Sequence, residues 1–339
     1  MNVIFFGCKL WEEEYLRAKL ASAGVDIEAT FTKDILTKEQ LPKKRDHEMI
    51  SVFVDSKIDA VVIAAFPKLQ YIVTRSTGYD HIDLSACKKR GIVVSSVPSY
   101  GENTVAEQAF ALLLAVSRKL YRAADQIRET GSFKFDDLQG FDLKDKTMGV
   151  VGTGRIGRHS VRIAQGFGMK VVAYDPQPNA QLEQECKFTY MPFEELLRVS
   201  DVVTIHVPYL PQTHHLFNEA AFAKMKKGSV LINTARGQVV DTQALVMAIS
   251  SGHLAGAGLD VLEEEGVVKD ELGFIAHGVA GEHDLKTILA NHVLFDMPNV
   301  VITPHNAFNT KEALMRILDV TIDDIASCVT GSPINVVSA

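Results

Sequence analysis

Short apolar runs alternate with segments of helical spacing along the whole chain, and this alternation limits the possible folds more than any other feature. The runs are rich in Val and Ile and are apolar on both faces, which is typical of strands buried in a sheet. Such strands joined by helices form parallel sheets covered on both sides, so we predict a doubly wound α/β fold. The predicted strands are residues 2–7, 59–66, 71–76 and 91–97 in a first series, and 147–152, 170–175, 201–207, 229–235, 256–261 and 299–304 in a second.

The two series of strands predict two domains of ordinary size, which suits a chain of 339 residues. We expect the first boundary near residue 101, before a long apolar helical pattern at 104–120. The helical pattern at 311–329 follows the last strand and has no sheet of its own to complete, so we expect it to return to the first domain. The predicted domains are residues 1–101 with 305–339, and residues 102–304.

Charge and cysteine content exclude several classes of function. The net charge is −7, so the chain offers no basic surface to nucleic acid or anionic lipid, and we predict neither as a partner. No apolar segment approaches the roughly 20 residues of a membrane span, and the N-terminus is interpreted as a first strand rather than a signal peptide. The cysteines lack CxxC or zinc-finger spacing, which favours reduced side chains in a cytoplasmic protein. They are Cys8, Cys87, Cys186 and Cys328.

A glycine motif opens the second series of strands. Gly152, Gly154 and Gly157 form G-x-G-x-x-G between a predicted strand and a helical pattern, the context in which this motif binds the pyrophosphate of a dinucleotide. Asp175 ends the next predicted strand, where a carboxylate accepts hydrogen bonds from the adenosine ribose and repels a 2′-phosphate. The motif therefore predicts NAD rather than NADP. A purely structural aspartate before Pro176 is the alternative.

Four polar side chains follow predicted strands of the second series, at the sheet edge where open parallel sheets bind ligands. They are Arg236, Asp260, Glu265 and His305. Each has a structural alternative when taken alone: a surface ion pair for Arg236, one charge of an acidic run for Glu265, a loop histidine for His305. Because all four lie on the cofactor side of one predicted sheet, we favour a catalytic site.

Several ordered motifs identify a family at this point. The chain resembles the D-isomer-specific 2-hydroxyacid dehydrogenase family over nearly its whole length, and most of all the D-lactate dehydrogenase branch. The matching stretches are RSTGYDHIDL from residue 75, VGTGRIGR from 151, HVPYLPQTHHLFN from 206, INTARGQVVD from 232, GLDVLEEE from 258 and NVVITPHNAF from 299. The resemblance implies a Rossmann NAD-binding domain, a flavodoxin-like substrate domain, a cleft between them, and a homodimer built through the nucleotide-binding domains.

The resemblance also implies roles for individual residues. Arg236 binds and polarises the substrate, His305 donates the proton, and Glu265 supports the histidine. The implied NAD contacts are Gly152, Gly154, Arg155, Ile156, Gly157, Asp175, Val207, Pro208, Thr213, Thr234, Ala235, Arg236 and Asp260. The substrate is expected beside the backbone of Thr77 and Gly78.

The chemistry of these side chains agrees with the implied roles. A guanidinium binds a substrate carboxylate through two parallel N–H···O bonds, which suits Arg236. Reduction of a 2-oxo acid by hydride needs a proton for the developing alkoxide, and His305 is suited to supply it. A carboxylate at hydrogen-bond distance favours imidazolium over imidazole, so Glu265 is expected to keep the donor charged near neutrality.

Substrate choice rests on a few aromatic residues. Phe308, Tyr100 and Phe53 are candidates for the wall of a small pocket, which would suit the methyl group of pyruvate. Core packing is the alternative for all three, and it is the favoured interpretation for Phe53. We therefore expect interconversion of pyruvate and D-lactate with NADH and NAD. A glyoxylate or hydroxypyruvate reductase, or a broad D-2-hydroxyacid dehydrogenase, is the alternative, and a non-enzymatic NAD-sensing protein is a weaker one.

One segment departs from the family pattern. Residues 266–298 are longer than in most members, and the sequence leaves a lid, an oligomer contact and a decorated loop open. His277, His283 and His292 fall within this segment, but their irregular spacing matches no metal-ligand pattern. No metal is predicted.

Overall fold

The computed structural model describes residues 1–269, 271, 274 and 283–337. The chain divides into two compact units, unit 1 with residues 1–101 and 309–339 and unit 2 with residues 102–308. Unit 1 thus resumes at Asn309 rather than at the expected 305. The reason is local, because the backbone N–H groups of His305, Asn306 and Ala307 donate to Asp260 of unit 2.

Unit 1 contains a parallel five-stranded sheet in the order β2-β1-β3-β4-β5, which is the flavodoxin-like order. The strands are β1 (Asn2–Phe5), β2 (Glu28–Phe31), β3 (Met49–Val52), β4 (Tyr71–Thr74) and β5 (Val93–Ser96). The helices are α1 (Leu10–Ser22), α2 (Ala60–Ala65), α3 (Leu84–Lys89) and α13 (Lys311–Val329).

The core of unit 1 lies on both faces of this sheet. Successive residues of a strand point to opposite faces, so Val3 and Phe5 pack with Ile322 of α13, whereas Ile4 packs with Val62 of α2. Helix α13 therefore covers one face of a sheet formed by the other end of the chain. All these side chains are buried.

One predicted strand of unit 1 is wrong. The 59–66 run forms helix α2 (Ala60–Ala65), and the Asp59 carboxylate caps the helix by accepting from the Val62 N–H at 2.9 Å. Val62 and Ile63 are buried while Val61 is exposed, which is a helical face that a short apolar run does not reveal. The central strand β3, fully buried at Met49–Val52, was not predicted.

Unit 2 contains a parallel seven-stranded sheet in the order β12-β11-β10-β9-β6-β7-β8. The strands are β6 (Thr147–Val151), β7 (Lys170–Tyr174), β8 (Thr189–Tyr190), β9 (Val202–Ile205), β10 (Ser229–Asn233), β11 (Leu254–Leu259) and β12 (Val300–Ile302). The helices are α4 (Glu102–Ser117), α5 (Leu120–Thr130), α6 (Arg155–Gly166), α7 (Ala180–Cys186), α8 (Phe193–Val199), α9 (Glu219–Lys224), α10 (Thr242–Ser250), α11 (Glu265–Lys269) and α12 (Leu285–Asp296).

The strand order of unit 2 places its ligand site. Counted from β6, the order is that of a dinucleotide-binding sheet with one additional strand. From β6 the chain adds β7 and β8 on one side, and it then returns to add β9 to β12 on the other side. Ligands of such sheets bind outside the carboxyl ends of the strands at this switch point. All named strand pairs in both units are parallel, so the predicted α/β class is confirmed.

The structure describes the 266–298 segment only in part. His277 and the central part of the 266–298 segment lie outside the described residues, whereas α11 and α12 form its two ends. Within residues 1–269, 271, 274 and 283–337, no helix has the length and hydropathy needed to cross a membrane.

Asp201 provides a test of how unit 2 is held together. Its carboxylate accepts from the Thr147 N–H at 2.9 Å and from Lys226 Nζ at 2.6 Å, which joins the starts of β6 and β9. Burial by itself would raise the pKa of Asp201, but the Lys226 ammonium and the Thr147 N–H outweigh burial and lower it.

We expect Asp201→Asn to lower the free energy of unfolding by about 1–2 kcal/mol at neutral pH. A lowered pKa gives stability that is present above the ordinary carboxyl pKa and is lost as the pH falls through the folded value. The difference from the wild type should therefore shrink below about pH 4. Urea denaturation across pH measures it, with Asp136→Asn at an exposed position as the control. An equal difference at every pH would contradict the assigned role.

Candidate active site

The glycine loop after β6 has the shape that a dinucleotide pyrophosphate needs. Gly152 has φ +94°, and a Cβ there would lie 2.7 Å from the His206 carbonyl oxygen. A Cβ on Gly157 would lie 2.0 Å from the Gly152 oxygen, so these two glycines allow close backbone packing. A Cβ on Gly154 would meet nothing within 4 Å, which leaves space beside the N-terminus of α6. The loop therefore fits a phosphate group at the N-terminus of α6.

Asp175 lies directly after β7, and its carboxylate also orders the glycine loop. One oxygen accepts from the Thr153 N–H at 2.8 Å and from the Thr153 hydroxyl at 3.0 Å, and the other accepts from the Gln177 N–H at 2.9 Å. The Tyr190 hydroxyl lies 2.7 Å from the Thr153 hydroxyl. Asp175 thus has a structural role in the glycine loop that the sequence did not suggest, and it lies at the position where a ribose-binding carboxylate is expected.

The remaining expected NAD contacts lie at the carboxyl ends of unit 2 strands or at the start of α6. The Thr213 hydroxyl donates to the Pro208 carbonyl at 2.7 Å and accepts from the Leu210 N–H at 2.8 Å, which closes the loop after β9. The positions are Arg155 and Ile156 at the start of α6, Val207, Pro208 and Thr213 after β9, Thr234 and Ala235 after β10, and Asp260 after β11.

Arg236 lies on a turn that the Asn233 side chain shapes. The Asn233 amide donates to the Arg236 carbonyl at 3.0 Å, and its oxygen accepts from the Ala235 N–H at 3.0 Å. The guanidinium donates from Nη1 to the Ala235 carbonyl at 2.8 Å. A Cβ on the following Gly237 would lie 2.0 Å from the Leu262 carbonyl carbon, so this turn packs directly on the 262–263 peptide.

Glu265 and His305 form a hydrogen-bonded pair. The His305 Nδ1 lies 2.9 Å from Glu265 Oε1, although 40 positions separate the two residues. His305 has φ +51°, and its backbone N–H donates to the Asp260 carbonyl at 2.8 Å. The Asp260 carboxylate accepts from the N–H groups of Asn306 and Ala307, both at 2.8 Å, and thereby fixes the turn that carries the imidazole.

The two acidic residues of this site differ in their electrostatics. Burial raises the pKa of Asp260, although hydrogen bonds from Thr303 and the turn act against burial. Burial would also raise the pKa of Glu265, but His305 and Lys269 Nζ, 3.5 Å away, lower it below the ordinary glutamate value. Glu265 is therefore ionised at neutral pH.

The expected substrate residues lie in both units. Thr77 and Gly78 follow β4 in unit 1, where the Thr77 hydroxyl donates to the Val97 carbonyl at 2.7 Å and the Ser76 hydroxyl donates to the Gly78 carbonyl at 2.6 Å. Tyr100 also belongs to unit 1, and its carbonyl accepts from Arg316 Nε. Phe308 is the last residue of unit 2, and Phe53 follows β3. The substrate roles of these residues stay predictions.

Three contacts of this site have no local sequence signal. Thr153 contacts Asp175 directly, Tyr190 contacts the Thr153 hydroxyl, and Glu263 joins several segments as described below. Thr153 lies inside the glycine motif at a variable position, so only its hydroxyl suggests a role. Tyr190 and Glu263 are found only when the fold brings distant segments together.

Comparison with known proteins decides the family. The family model described as "D-isomer specific 2-hydroxyacid dehydrogenase, NAD binding domain" matches residues 110–307. The chain belongs to the D-isomer-specific 2-hydroxyacid dehydrogenase family. It is an oxidoreductase with an NAD-binding domain, so the resemblance and the predicted cofactor are both confirmed.

Named relatives cover nearly the whole chain. The D-lactate dehydrogenase of Escherichia coli is 33% identical over 335 residues, which is 98% of each chain. The glyoxylate reductase of Thermococcus litoralis is 38% identical over 280 residues, which is 80% of this chain and 78% of the relative. The solved structure of the Aquifex aeolicus D-lactate dehydrogenase with NAD and lactic acid is 36% identical with a TM-score of 0.83, and the match covers 98% of this chain and 96% of that one.

Gly237 allows a direct test of the packing between the Arg236 turn and the Glu265 segment. Gly237→Ala places a methyl group against the Leu262 backbone, so the turn that carries Arg236 must shift. A shift of about 1 Å is expected to lower kcat/KM about 100-fold. NADH oxidation with a 2-oxo acid measures the loss. Gly166→Ala in α6, where a Cβ meets nothing within 4 Å, is the matched control. Wild-type kcat/KM in Gly237→Ala would show that the close packing has no functional role.

Proposed function

We propose that this dehydrogenase reduces pyruvate to D-lactate with NADH and catalyses the reverse oxidation with NAD. The observation that carries the proposal is the Glu265–His305 pair at 2.9 Å, located at the carboxyl edge of the NAD-binding sheet. Arg236 lies on a turn packed against the segment that leads to Glu265. A cation for a carboxylate and a charged proton donor are the two groups that 2-oxo acid reduction requires of the protein.

Arg236 is proposed to bind the substrate. Its guanidinium pairs with the carboxylate of the 2-oxo acid through two N–H groups and fixes the orientation of the carbonyl. Two interactions limit the conformations of this turn before substrate arrives. The Arg236 guanidinium donates to the Ala235 carbonyl, and the Asn233 side chain forms hydrogen bonds with the turn backbone. Less conformational entropy is then lost on binding.

His305 is proposed to donate the proton, and Glu265 to support it. The nicotinamide supplies the hydride when NAD is bound. With Nδ1 on the Glu265 carboxylate, Nε2 is the nitrogen that gives its proton to the developing alkoxide oxygen, and the imidazole left behind is neutral. In the oxidation direction the neutral imidazole accepts the hydroxyl proton. Arg236 stabilises the oxygen charge in both directions.

A second candidate substrate is glyoxylate. The 38% identity to the Thermococcus litoralis glyoxylate reductase supports this candidate, and both substrates need the same three side chains. One methylene changes selectivity by only about 1–3 kcal/mol, so the ratio of kcat/KM values must be measured. A panel of pyruvate, hydroxypyruvate, glyoxylate and phenylpyruvate tests the proposal. The highest kcat/KM with pyruvate is expected, and no turnover of any of them would favour an NAD-sensing protein.

A homodimer and a cytoplasmic location complete the proposal. Phe133 and Phe135 of unit 2 are 84% and 79% exposed, and a second copy of the chain would cover them. The four cysteines are free and buried, which suits a reducing compartment. The small 2-oxo acid is the proposed partner, and no nucleic acid or membrane partner is proposed.

Pyruvate reduction is expected to fall as the pH rises, because a deprotonated His305 has no proton to donate. Ionised Glu265 favours the imidazolium, so Glu265→Gln should move this fall to lower pH by about one pH unit. The measurement is kcat/KM for pyruvate between about pH 5 and 10. Glu264→Gln removes the same charge one residue away and serves as the control. An unchanged profile in Glu265→Gln would remove Glu265 from its role.

Asp175 is expected to set the preference for NADH over NADPH. Asp175→Asn removes the charge that repels a 2′-phosphate while an amide oxygen still accepts from Thr153, so the kcat/KM ratio should move toward NADPH about tenfold. Steady-state rates with both cofactors measure the ratio. Glu185→Gln on the exposed side of α7 is the control. A constant ratio in Asp175→Asn would assign the residue to loop structure alone.

A further inference from the structure

We propose that Glu263 is a positioning residue that fixes the segment carrying Glu265 and so holds the proton donor in its active geometry. This inference rests on the proposed function of Glu265 and His305. Glu263 precedes Glu265 by two residues within an acidic run, and its side chain is only 11% exposed. A carboxylate that is nearly removed from water needs donors on both oxygens.

Both oxygens of the Glu263 carboxylate have such donors. Oε1 lies 2.7 Å from His215 Nε2. Oε2 accepts from the Thr242 hydroxyl at 2.7 Å and from the Thr242 N–H at 3.0 Å. The Glu263 backbone carbonyl accepts from the buried Asn291 amide at 2.8 Å. Both the side chain and the backbone of this residue are therefore fixed.

The partners of Glu263 belong to three separate segments of unit 2. His215 lies in the loop after β9, and the His215 N–H donates to the Gln238 carbonyl at 2.9 Å. Thr242 is the first residue of α10, and Asn291 belongs to α12. Glu263 thus ties the segment before Glu265 to the loop expected to contact NAD and to two helices.

The same segment is tied to the substrate-binding turn. The 262–263 peptide lies against Gly237, with no space for a Cβ, and Gly237 directly follows Arg236. Glu264 then has φ +53° and forms a turn in the left-handed backbone conformation, which residues other than glycine adopt only with strain. Glu263 anchors the near side of this turn and the Glu265–His305 bond anchors the far side. Movement of the 262–263 peptide would displace both the guanidinium turn and the Glu265 carboxylate.

The Glu263 carboxylate belongs to a cluster of charged and titratable groups. The Asp241 carboxylate lies 4.0 Å from His215 Nδ1, and the His214 ring stacks on the His215 ring at 4.0 Å between centroids. The neighbouring Glu264 has a different partner, and its carboxylate lies 2.7 Å from His283 Nδ1. Glu264 therefore provides a charge-matched comparison on the same segment.

The test compares Glu263→Gln with Glu264→Gln. We expect Glu263→Gln to lower kcat for pyruvate about tenfold and to move the high-pH fall of activity to lower pH by about half a unit, because Glu265 is less well placed to stabilise the imidazolium. Glu264→Gln should leave both at the wild-type values. If Glu263→Gln does not fold, Thr242→Val replaces it in the test. This variant removes one donor to Glu263 while it keeps the side-chain shape, and it should shift the pH–activity profile in the same direction.

NMR of protein labelled with ¹⁵N-histidine provides a readout that needs no substrate. In Glu263→Gln, the His305 ring should lose its proton at lower pH than in the wild type, and in Glu264→Gln at the same pH. A lower melting temperature with an unchanged His305 titration would overturn the proposal and leave Glu263 as a structural residue. Equal shifts in both variants would also overturn it, since a general field effect would then explain them.

Glu265→Gln, measured alongside, separates this inference from the proposed function. A titration and rate profile that move in Glu265→Gln but not in Glu263→Gln overturn the positioning role alone. A His305 titration that moves in Glu263→Gln and in Glu265→Gln, in a protein that turns over no 2-oxo acid, supports the positioning role and contradicts the proposed function.

Discussion

A buried carboxylate determines where the His305 imidazole of this dehydrogenase lies. Asp260 is 1% exposed and receives hydrogen bonds from Asn306, Ala307 and Thr303, so the turn after β12 closes around it. His305 adopts its left-handed conformation within this turn and meets Glu265 there. The Glu265 contact and its effect on the ionisation of Glu265 both follow from a turn that the Asp260 side chain organises. Asp260 therefore has a structural function in addition to any contact with the nucleotide.

Features with a local physical cause could be predicted from the sequence. The glycine loop was found because Gly152 and Gly157 meet a backbone requirement within a few residues, and the parallel sheets were found because doubly buried strands are apolar throughout. Arg236, Glu265 and His305 were proposed because they follow strands at one edge of the predicted sheet and match the family motifs, and of these contacts the structure shows the Glu265–His305 pair. The 59–66 helix was missed because a short apolar run has the same composition in a helix and in a buried strand.

Contacts between distant segments could not be predicted in this way. Tyr190 reaches Thr153 across 37 positions and Glu263 reaches His215 across 48, and neither residue has a distinctive neighbour in sequence. In the sequence Glu263 is one of three successive glutamates, which is typical of a solvated surface. The fold gives each of the three a different partner: His215 for Glu263, His283 for Glu264 and His305 for Glu265. Composition records the acidic run and the histidines but not this pairing.

The space around Gly154 separates the requirements of folding from those of ligand binding. The glycines on either side of it, Gly152 and Gly157, pack against backbone, so a larger residue at those positions disturbs the protein itself. A methyl group at Gly154 would meet no described protein atom within 4 Å, and it would lie beside the helix N-terminus where the pyrophosphate is expected. A chain altered there would keep its thermal stability and its circular dichroism spectrum while it lost the nucleotide. Screens that select only for folded protein would therefore accept a change that we expect to weaken nucleotide binding.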